Sequence, residues 1–312
     1  MFKIEYLKFL CCPDCRGELE LKSETLICKS CSNNYPIVES IPVLLPKSIA
    51  DDVKMSREKW EKEYRRTIDK KKMTKLKNGF KKTYLDSAMK YFNKILKSLK
   101  AKRYLEIGSG PFFIGQELAK LGIFAVGIDY SLGATKLAQA YLKEEKIDNY
   151  LLVCGDITKM PFKDNVFDLL YGGGVIEHFK DTKSVVKENY RVLKRDGLAF
   201  NTVPCLNVGS LTYRQVWGNI PNVPVLRGIA EFVHVKLLKG KHMTYGYEYS
   251  FTKANLQKIF QNAGFRKENI EIERFEVPLI FEYIKSKILK NIATKIARSD
   301  LFWPVVYIKS IK

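Results

Sequence analysis

Four cysteines stand in two pairs, Cys12-Pro-Asp-Cys15 and Cys28-Lys-Ser-Cys31, with twelve residues between the pairs. Each knuckle turns two thiolates toward one point, and two knuckles on hairpin loops close the tetrahedral sulfur site of structural zinc. A redox pair, or a ribbon that has lost its metal, would share the spacing; Cys11 reads as a bystander. A second group begins where the apolar run 104–107 breaks at Gly108 and Gly110. Without side chains there, backbone N–H groups can approach a ligand at the start of a helix. Asp129 follows Gly108 by 21 residues, at the end of another apolar run. A doubly wound sheet places at that distance an acid that accepts hydrogen bonds from a ribose. The glycine turn taken alone is also an ordinary tight turn. A pyrophosphate requires a third glycine at the sixth position of the turn, where Phe113 crowds the approach. Glu177-His178 follows the fourth apolar run; His178 is suited to take a proton from a hydroxyl, and equally to cap a helix start. Cys205 after Pro204 is a candidate nucleophile or a buried structural thiol.

The elements that must position these groups follow from hydropathy. Apolar runs at 104–107, 125–128, 150–154, 167–171 and 198–203 alternate with helical stretches such as 114–121 and 135–145. That alternation predicts a mostly parallel sheet with helices on both faces, and a ligand outside the carboxyl ends of the strands. Leu19, Leu21, Leu26 and Ile27 make a ribbon whose core is too thin to fold well without metal. The spacing divides the chain into a ribbon (1–46), a basic helical connector (47–100) and an α/β domain (101–312). Trp60, Tyr64, Tyr84, Tyr91, Phe92, Ile95 and Leu99 give the connector a face that packs on the next domain. Residues 206–249, both apolar and basic, form an insertion placed to act as a lid and acceptor pocket. A helix is expected at 254–263 and a closing strand at 302–308. Phe281, Ile284, Ile288, Ile292 and Ile296 share a helical face opposite Lys287, Lys290 and Arg298. That helix can lie on an anionic membrane or pack on its own domain.

Net charge is +20, and residues 51–100 hold 17 Lys and Arg against 7 Asp and Glu, half of the excess. This surplus suits nucleic acid, an anionic membrane or an acidic partner, or it reflects solvated lysine-rich faces. The run from Lys70 to Lys82 reads as a solvated face whose natural targets, if any, are phosphates or lipid headgroups. No apolar run reaches the roughly 18 residues that span a bilayer, and the first residues lack a signal-peptide pattern. A cytoplasmic protein is expected, free or peripheral to a membrane.

Cys12-Pro-Asp-Cys15-Arg-Gly-Glu-Leu-Glu-Leu, Leu26-Ile-Cys28-Lys-Ser-Cys31 and Tyr35-Pro-Ile-Val-Glu-Ser-Ile-Pro-Val-Leu-Leu45 together resemble the zinc-ribbon family of methyltransferase-activating subunits. The family's usual glycine is replaced at Glu39-Ser40. Leu105-Glu-Ile-Gly-Ser-Gly110, Gly127-Ile-Asp-Tyr-Ser131, Gly155-Asp-Ile-Thr-Lys-Met-Pro-Phe162, Phe167-Asp-Leu-Leu-Tyr-Gly-Gly-Gly-Val-Ile-Glu-His178 and Arg191-Val-Leu-Lys-Arg-Asp-Gly-Leu198 resemble the class I S-adenosylmethionine-dependent methyltransferases, in particular type 11. The resemblance implies a doubly wound, mostly parallel seven-stranded sheet with a small N-terminal zinc ribbon. It implies that Glu106, Gly108 and Gly110 shape the methionine end of the cofactor pocket and that Asp129 binds the ribose hydroxyls. Tyr130 then flanks the adenine, Asp156 and Ile157 address its amino group and ring, and Tyr171 closes the methionine side. Phe112 departs from a glycine common at its position. The donor carries no phosphate, and its sulfonium suits the acid and aromatic faces of Glu106, Tyr130 and Tyr171.

The acceptor is less determined. Leu-Leu-Tyr-Gly-Gly-Gly after Asp168 argues against the Pro-Pro-Tyr type of base-amino enzyme. The expectation is methyl transfer to a hydroxyl or similar nucleophile of a lipid, glycan precursor or small metabolite, with His178 and Glu177 as catalytic candidates and alignment doing most of the work. A tRNA or protein acceptor, or a non-catalytic module binding RNA or a partner, are the alternatives.

Overall fold

The computed structural model describes residues 2–48, 60–62, 64, 74, 78–79, 84–212, 214–215, 218–241, 243, 246–276 and 286–312. Within them, strands buried on both faces form the centre: β5 (Arg103–Ile107), β6 (Phe124–Asp129), β7 (Tyr150–Gly155), β8 (Phe167–Gly173) and β9 (Leu193–Pro204). Their side chains alternate between two cores. Leu105, Ile107, Val126, Ile128, Leu151 and Val153 enter one, and Tyr104, Ala125, Leu152, Cys154, Leu169 and Phe200 enter the other. This two-sided burial is why the strands read as continuous apolar runs. The sheet is completed by β12 (Ile270–Arg274) and β13 (Val305–Ile311), and β13 runs antiparallel to β9.

Strands β7-β6-β5-β8-β9-β13-β12 are the expected seven, and four more extend them. β1 (Leu19–Lys22), β2 (Thr25–Cys28), β3 (Asn34–Val38) and β4 (Ile41–Leu44) belong to the ribbon. β4 pairs parallel with β7 through Val43 opposite Cys154 and Leu44 opposite Gly155. The ribbon thus covers a sheet edge that would otherwise expose unpaired backbone groups. Its side chains join the main core: Leu10, Leu19, Leu26 and Tyr35 share a cluster with Phe162 and Phe167. Arg16 donates to Glu188 Oε2 at 2.8 Å, and Arg191 donates to the same carboxylate. At the β3–β4 turn Glu39 (φ 50°) and Ser40 (φ 71°) both adopt the left-handed conformation, the geometry of a two-residue hairpin loop. The missing family glycine therefore changes the residues and leaves the turn in place; the Glu39 carbonyl accepts from Gln139 at 2.9 Å.

The connector is more than a spacer. Its last helix, α1 (Asp86–Ser98), buries Ala88, Phe92 and Ile95 against the sheet. The lysine run from Lys70 to Lys82 lies outside the described residues apart from Thr74, Asn78 and Gly79. The other α-helices of eight or more described residues are α2 (Phe113–Lys120), α3 (Leu132–Glu144), α4 (Thr182–Val192), α5 (Pro224–Glu231), α6 (Lys253–Ala263) and α7 (Lys287–Ala297). The insertion holds α5, a π-helical turn (Phe232–Leu237), and β10 (Asn219–Pro221) paired with β11 (Glu248–Ser250). Tyr213, Trp217 and Tyr245 of the insertion, and Phe281 and Ile284 ahead of α7, lie outside the described residues. No helix among the described residues is long and apolar enough to cross a membrane.

Candidate active site

The strand order reverses at β5, whose neighbours are β6 on one side and β8 on the other, and a crevice opens where the loops leave their carboxyl ends in opposite directions. A cavity of about 260 Å³ lies there. Glu106 sits beside it near the end of β5, in register with Tyr171 of β8. Gly108 (φ 55°) and Gly110 (φ 48°) turn the backbone into it through a conformation that favours glycine. A Cβ at Gly108 would meet Val175 at 2.7 Å, and one at Gly110 would meet the Tyr64 hydroxyl at 2.7 Å. The third left-handed position is taken by Phe112 (φ 62°). Its buried ring occupies the space left by Gly115 and Gly127, where added Cβ atoms would lie 2.1 and 2.9 Å from it. Phe113, one residue later, forms part of the cavity wall.

Glu106 Oε2 accepts from the Gly115 N–H at 2.8 Å and from the Tyr104 hydroxyl at 3.1 Å. Burial nevertheless dominates and pushes its carboxyl up to about 8. Asp129 accepts from the Gly110 and Ser131 N–H groups, both at 2.9 Å, and burial again wins, raising it to about 6. No lysine or arginine stands among the described residues of the wall. Within a chain of net charge +20, this wall suits a cation better than an anion.

Tyr130, Ile157 and Tyr171 also face the cavity. Asp156 is placed differently: its Oδ1 accepts from the Thr158 N–H at 2.8 Å and the Thr158 hydroxyl at 2.7 Å, capping the 3-10 turn Ile157–Lys159, and it is not on the wall. His178 is on the wall. Its Nδ1 lies 2.5 Å from the Tyr247 carbonyl; a carbonyl only accepts, so Nδ1 carries the proton and Nε2 keeps a lone pair. Burial lowers the affinity of His178 for a second proton, partly offset by backbone contacts to Tyr247 and Gly174 and by Glu248. Glu177 does not join it. Its side chain is buried behind the wall, Oε2 has no hydrogen-bond partner among the described residues, and burial raises its carboxyl well above the usual range. Cys205 lies off the wall, on an edge bridge to Phe251.

Three wall residues come from the connector, which the sequence suggested only as a packing face. Trp60 and Tyr64 stack with centroids 5.7 Å apart, and Tyr64 rests on Phe113, Leu137 and Tyr141. Glu61 between them accepts from the Ser131 hydroxyl at 2.5 Å and the Gly133 N–H at 3.3 Å. Tyr84 is hydrogen-bonded to the Tyr171 hydroxyl and lies 3.2 Å from Thr202 Oγ1. Aromatic residues standing in a lysine-rich stretch were the available signal. The insertion expected as the lid borders the mouth through Tyr247, but none of its described residues walls the cavity.

At the ribbon, the Sγ atoms of Cys12, Cys15, Cys28 and Cys31 lie within 4.8 Å of one another. Four thiolates at the usual ~2.3 Å from zinc stand about 3.8 Å apart, so the donor set fits that ion. The Tyr35 hydroxyl lies 3.1 Å from Cys12 Sγ and donates to Asp14 at 2.7 Å, an outer layer that orients the ligand. The cavity in turn fits S-adenosylmethionine: Glu106 and Asp129 with Tyr130 and Tyr171 suit a cationic ligand, and no lysine or arginine for a phosphate stands among the described wall residues.

Comparison with known proteins agrees with this reading. Residues 105–201 match the model of a methyltransferase domain, and residues 3–40 match that of Trm112p-like proteins. The demethylmenaquinone methyltransferase of Listeria monocytogenes serotype 4b is 27% identical over 188 residues, covering 55% of this chain and 73% of that protein. That of Lactiplantibacillus plantarum is 28% identical over 163 residues, covering 48% and 62%. Among solved structures, Haemonchus contortus phosphoethanolamine N-methyltransferase 2 aligns with a TM-score of 0.47 and 21% identity over 68% of this chain; the chain spans about half of that enzyme, 49%. A complex of the Haloferax volcanii Trm112 methyltransferase activator with a putative methyltransferase aligns with a TM-score of 0.47 and 18% identity, covering 67% of this chain and 82% of that one.

Proposed function

Because the chain is a class I S-adenosylmethionine-dependent methyltransferase preceded by a Trm112p-like ribbon, we propose that it methylates a hydroxyl or comparable nucleophile on a small lipid-like acceptor, with His178 taking the proton. The observation that carries this reading is a neutral imidazole on the cavity wall whose Nδ1 is tied to the Tyr247 carbonyl. When bound, S-adenosylmethionine would supply an electrophilic methyl carbon to the acceptor oxygen, its sulfur leaving as the neutral thioether. His178 Nε2 takes the hydroxyl proton and passes it to solvent after transfer. Glu106, with the Gly108 and Gly110 backbone, holds the methionine end; Asp129 takes the ribose hydroxyls; Tyr130 flanks the adenine. Ile157 packs on the adenine ring, with Asp156 next to it in the chain for the amino group, and Tyr171 closes the methionine side. Burial raises the Tyr84 and Tyr171 hydroxyls and keeps that wall neutral. Cys12, Cys15, Cys28 and Cys31 hold a structural Zn²⁺. A lipid-like acceptor is supported by the similarity to enzymes named for demethylmenaquinone.

The test incubates the purified protein with methyl-labelled donor and fractionated cell extract. Label is expected in the organic phase, and His178→Gln is expected to slow transfer about 100-fold while leaving donor affinity unchanged. Label confined to RNA or protein, or an unslowed variant, refutes the proposal. The ribbon match and the basic connector favour a second reading, in which the acceptor is tRNA or protein. Its RNA form requires binding that falls steeply with salt.

A further inference from the structure

Two amphipathic segments carry their apolar stripes outward. In α5 and the π-helical turn after it, Val225, Ile229, Phe232 and Leu237 are 74%, 58%, 57% and 62% exposed. In α7 no residue is buried, and Ile288, Leu289, Ile292 and Ile296 are all at least half exposed. A surface helix of a soluble domain ordinarily turns this stripe onto the core; of the two fates the sequence left open for α7, packing on its own domain is not the one adopted. The two segments are joined by the stretch between β9 and β10. Gly209 N–H donates to the Leu301 carbonyl at 3.1 Å, and Gln215 bonds to His234 of the π turn at 2.9 Å. Val208, Leu211 and Leu301 in this junction are exposed as well.

The charge on these segments has one sign. Lys236, Lys239, Lys241, Lys287, Lys290 and Lys295 are exposed and form no ion pair among the described residues. The single acid, Glu231, is bonded to Arg227 at 2.8 Å. Protein interfaces concentrate aromatic residues and arginine and exclude lysine, whereas this face, Phe232 apart, is aliphatic and lysine-rich. A nucleic acid would use the lysines and leave the isoleucines and leucines in water. An anionic bilayer uses both: aliphatic side chains enter the acyl boundary, and lysines extend to the headgroups.

We propose that α5, the π-helical turn and α7 form a docking face for an anionic phospholipid bilayer. The face adjoins the site, since Arg227 donates to the Lys180 carbonyl at 3.0 Å, two residues from His178. A docked molecule would present the mouth of the cavity near the lipid surface. Docking needs neither donor nor acceptor, so its test is separate from that of the acceptor.

The whole 312-residue chain is sedimented with vesicles of phosphatidylcholine alone or with phosphatidylglycerol added, without S-adenosylmethionine. Binding to the anionic vesicles and not to the neutral ones is expected. Lys287→Glu and Lys290→Glu should each weaken it about fivefold, and Ile288→Ser with Ile292→Ser about tenfold or more. Donor affinity, measured by calorimetry, should be unchanged in every variant and serves as the folding control. Three outcomes overturn the proposal: no sedimentation of the wild type; equal sedimentation of the isoleucine variant, which would reduce the effect to bulk charge; or a wild-type dimer that the isoleucine variant dissolves without vesicle binding, which would assign the face to a second copy.

Discussion

Glu106 shows how burial tunes a carboxyl on the cavity wall. Its carboxyl is raised to about 8 because desolvation outweighs the two hydrogen bonds it accepts, so the free enzyme holds it protonated at neutral pH. A cationic ligand favours the carboxylate, and binding of S-adenosylmethionine should release a proton at pH 7. Affinity should therefore rise between pH 6 and 8 and level off above, measured calorimetrically in buffers of different ionisation enthalpy; Glu106→Gln should abolish that slope. An affinity independent of pH in the wild type would remove Glu106 from the cofactor site. The same shift acts on stability in the free protein. A carboxyl whose folded value lies above its ordinary 4.5 contributes stability that is complete below that value and is lost as pH rises through about 8. The thermal midpoint of the free protein should fall across this window, and bound donor should suppress the fall. Glu106, Asp129 and His178 all lie on the cavity wall; the first was marked in the sequence by resemblance, the other two by type and spacing. Glu177 was not placed correctly, because adjacent residues in a 3-10 turn point in different directions and only the packing shows which one faces the cavity. Asp156 was legible as a position, but its use as a cap was visible only in three dimensions.

At the scale of elements, the strands and helices of the α/β domain follow their hydropathy closely, while the roof of the site does not. Glu61 anchors the Trp60–Tyr64 stack to the start of α3, and charge-assisted hydrogen bonds of this kind are worth about 1.5–3 kcal/mol. Glu61→Ala should therefore weaken donor binding about tenfold, mainly through faster dissociation, with the far-ultraviolet circular dichroism unchanged. Gly110→Ala should weaken it further, since the new methyl meets the Tyr64 hydroxyl and the residue keeps a φ of 48°. Unchanged dissociation in Glu61→Ala would show that the connector does not retain the cofactor. The long insertion drew attention as a lid because of its length and apolar content. Its described residues meet the site only at the border; Val225, Ile229, Phe232 and Leu237 face outward, whereas Ile220, Met243, Tyr247 and Tyr249 are buried. Periodicity reports that a helix has an apolar face, and nothing in it says which way that face is turned.

At the scale of the molecule, the ribbon and the α/β domain are parts of one sheet. β4 lies on β7, Leu10 bridges Phe162, and Arg16 and Arg191 share Glu188. Removing zinc with a chelator should then loosen the knuckles and the β1–β2 hairpin without unfolding the seven strands that carry the cavity. Protease cleavage within 12–31 should accelerate sharply, the thermal midpoint should fall, and donor binding should survive at low temperature. Loss of all secondary structure on chelation would show that the ribbon nucleates the whole fold.

The sequence alone determined the cysteine knuckles, the glycine turn with its acid, and the order of strands and helices, because each depends on residues close together in the chain or on a repeating pattern. Only the tertiary structure decided the rest. It joined the ribbon to the edge of the sheet, closed the cavity with aromatics from the basic connector, and turned two apolar stripes to solvent. Each of these depends on which distant surfaces meet, and hydrogen bonds between strands or stacked rings are satisfied equally well by many partners until packing selects one.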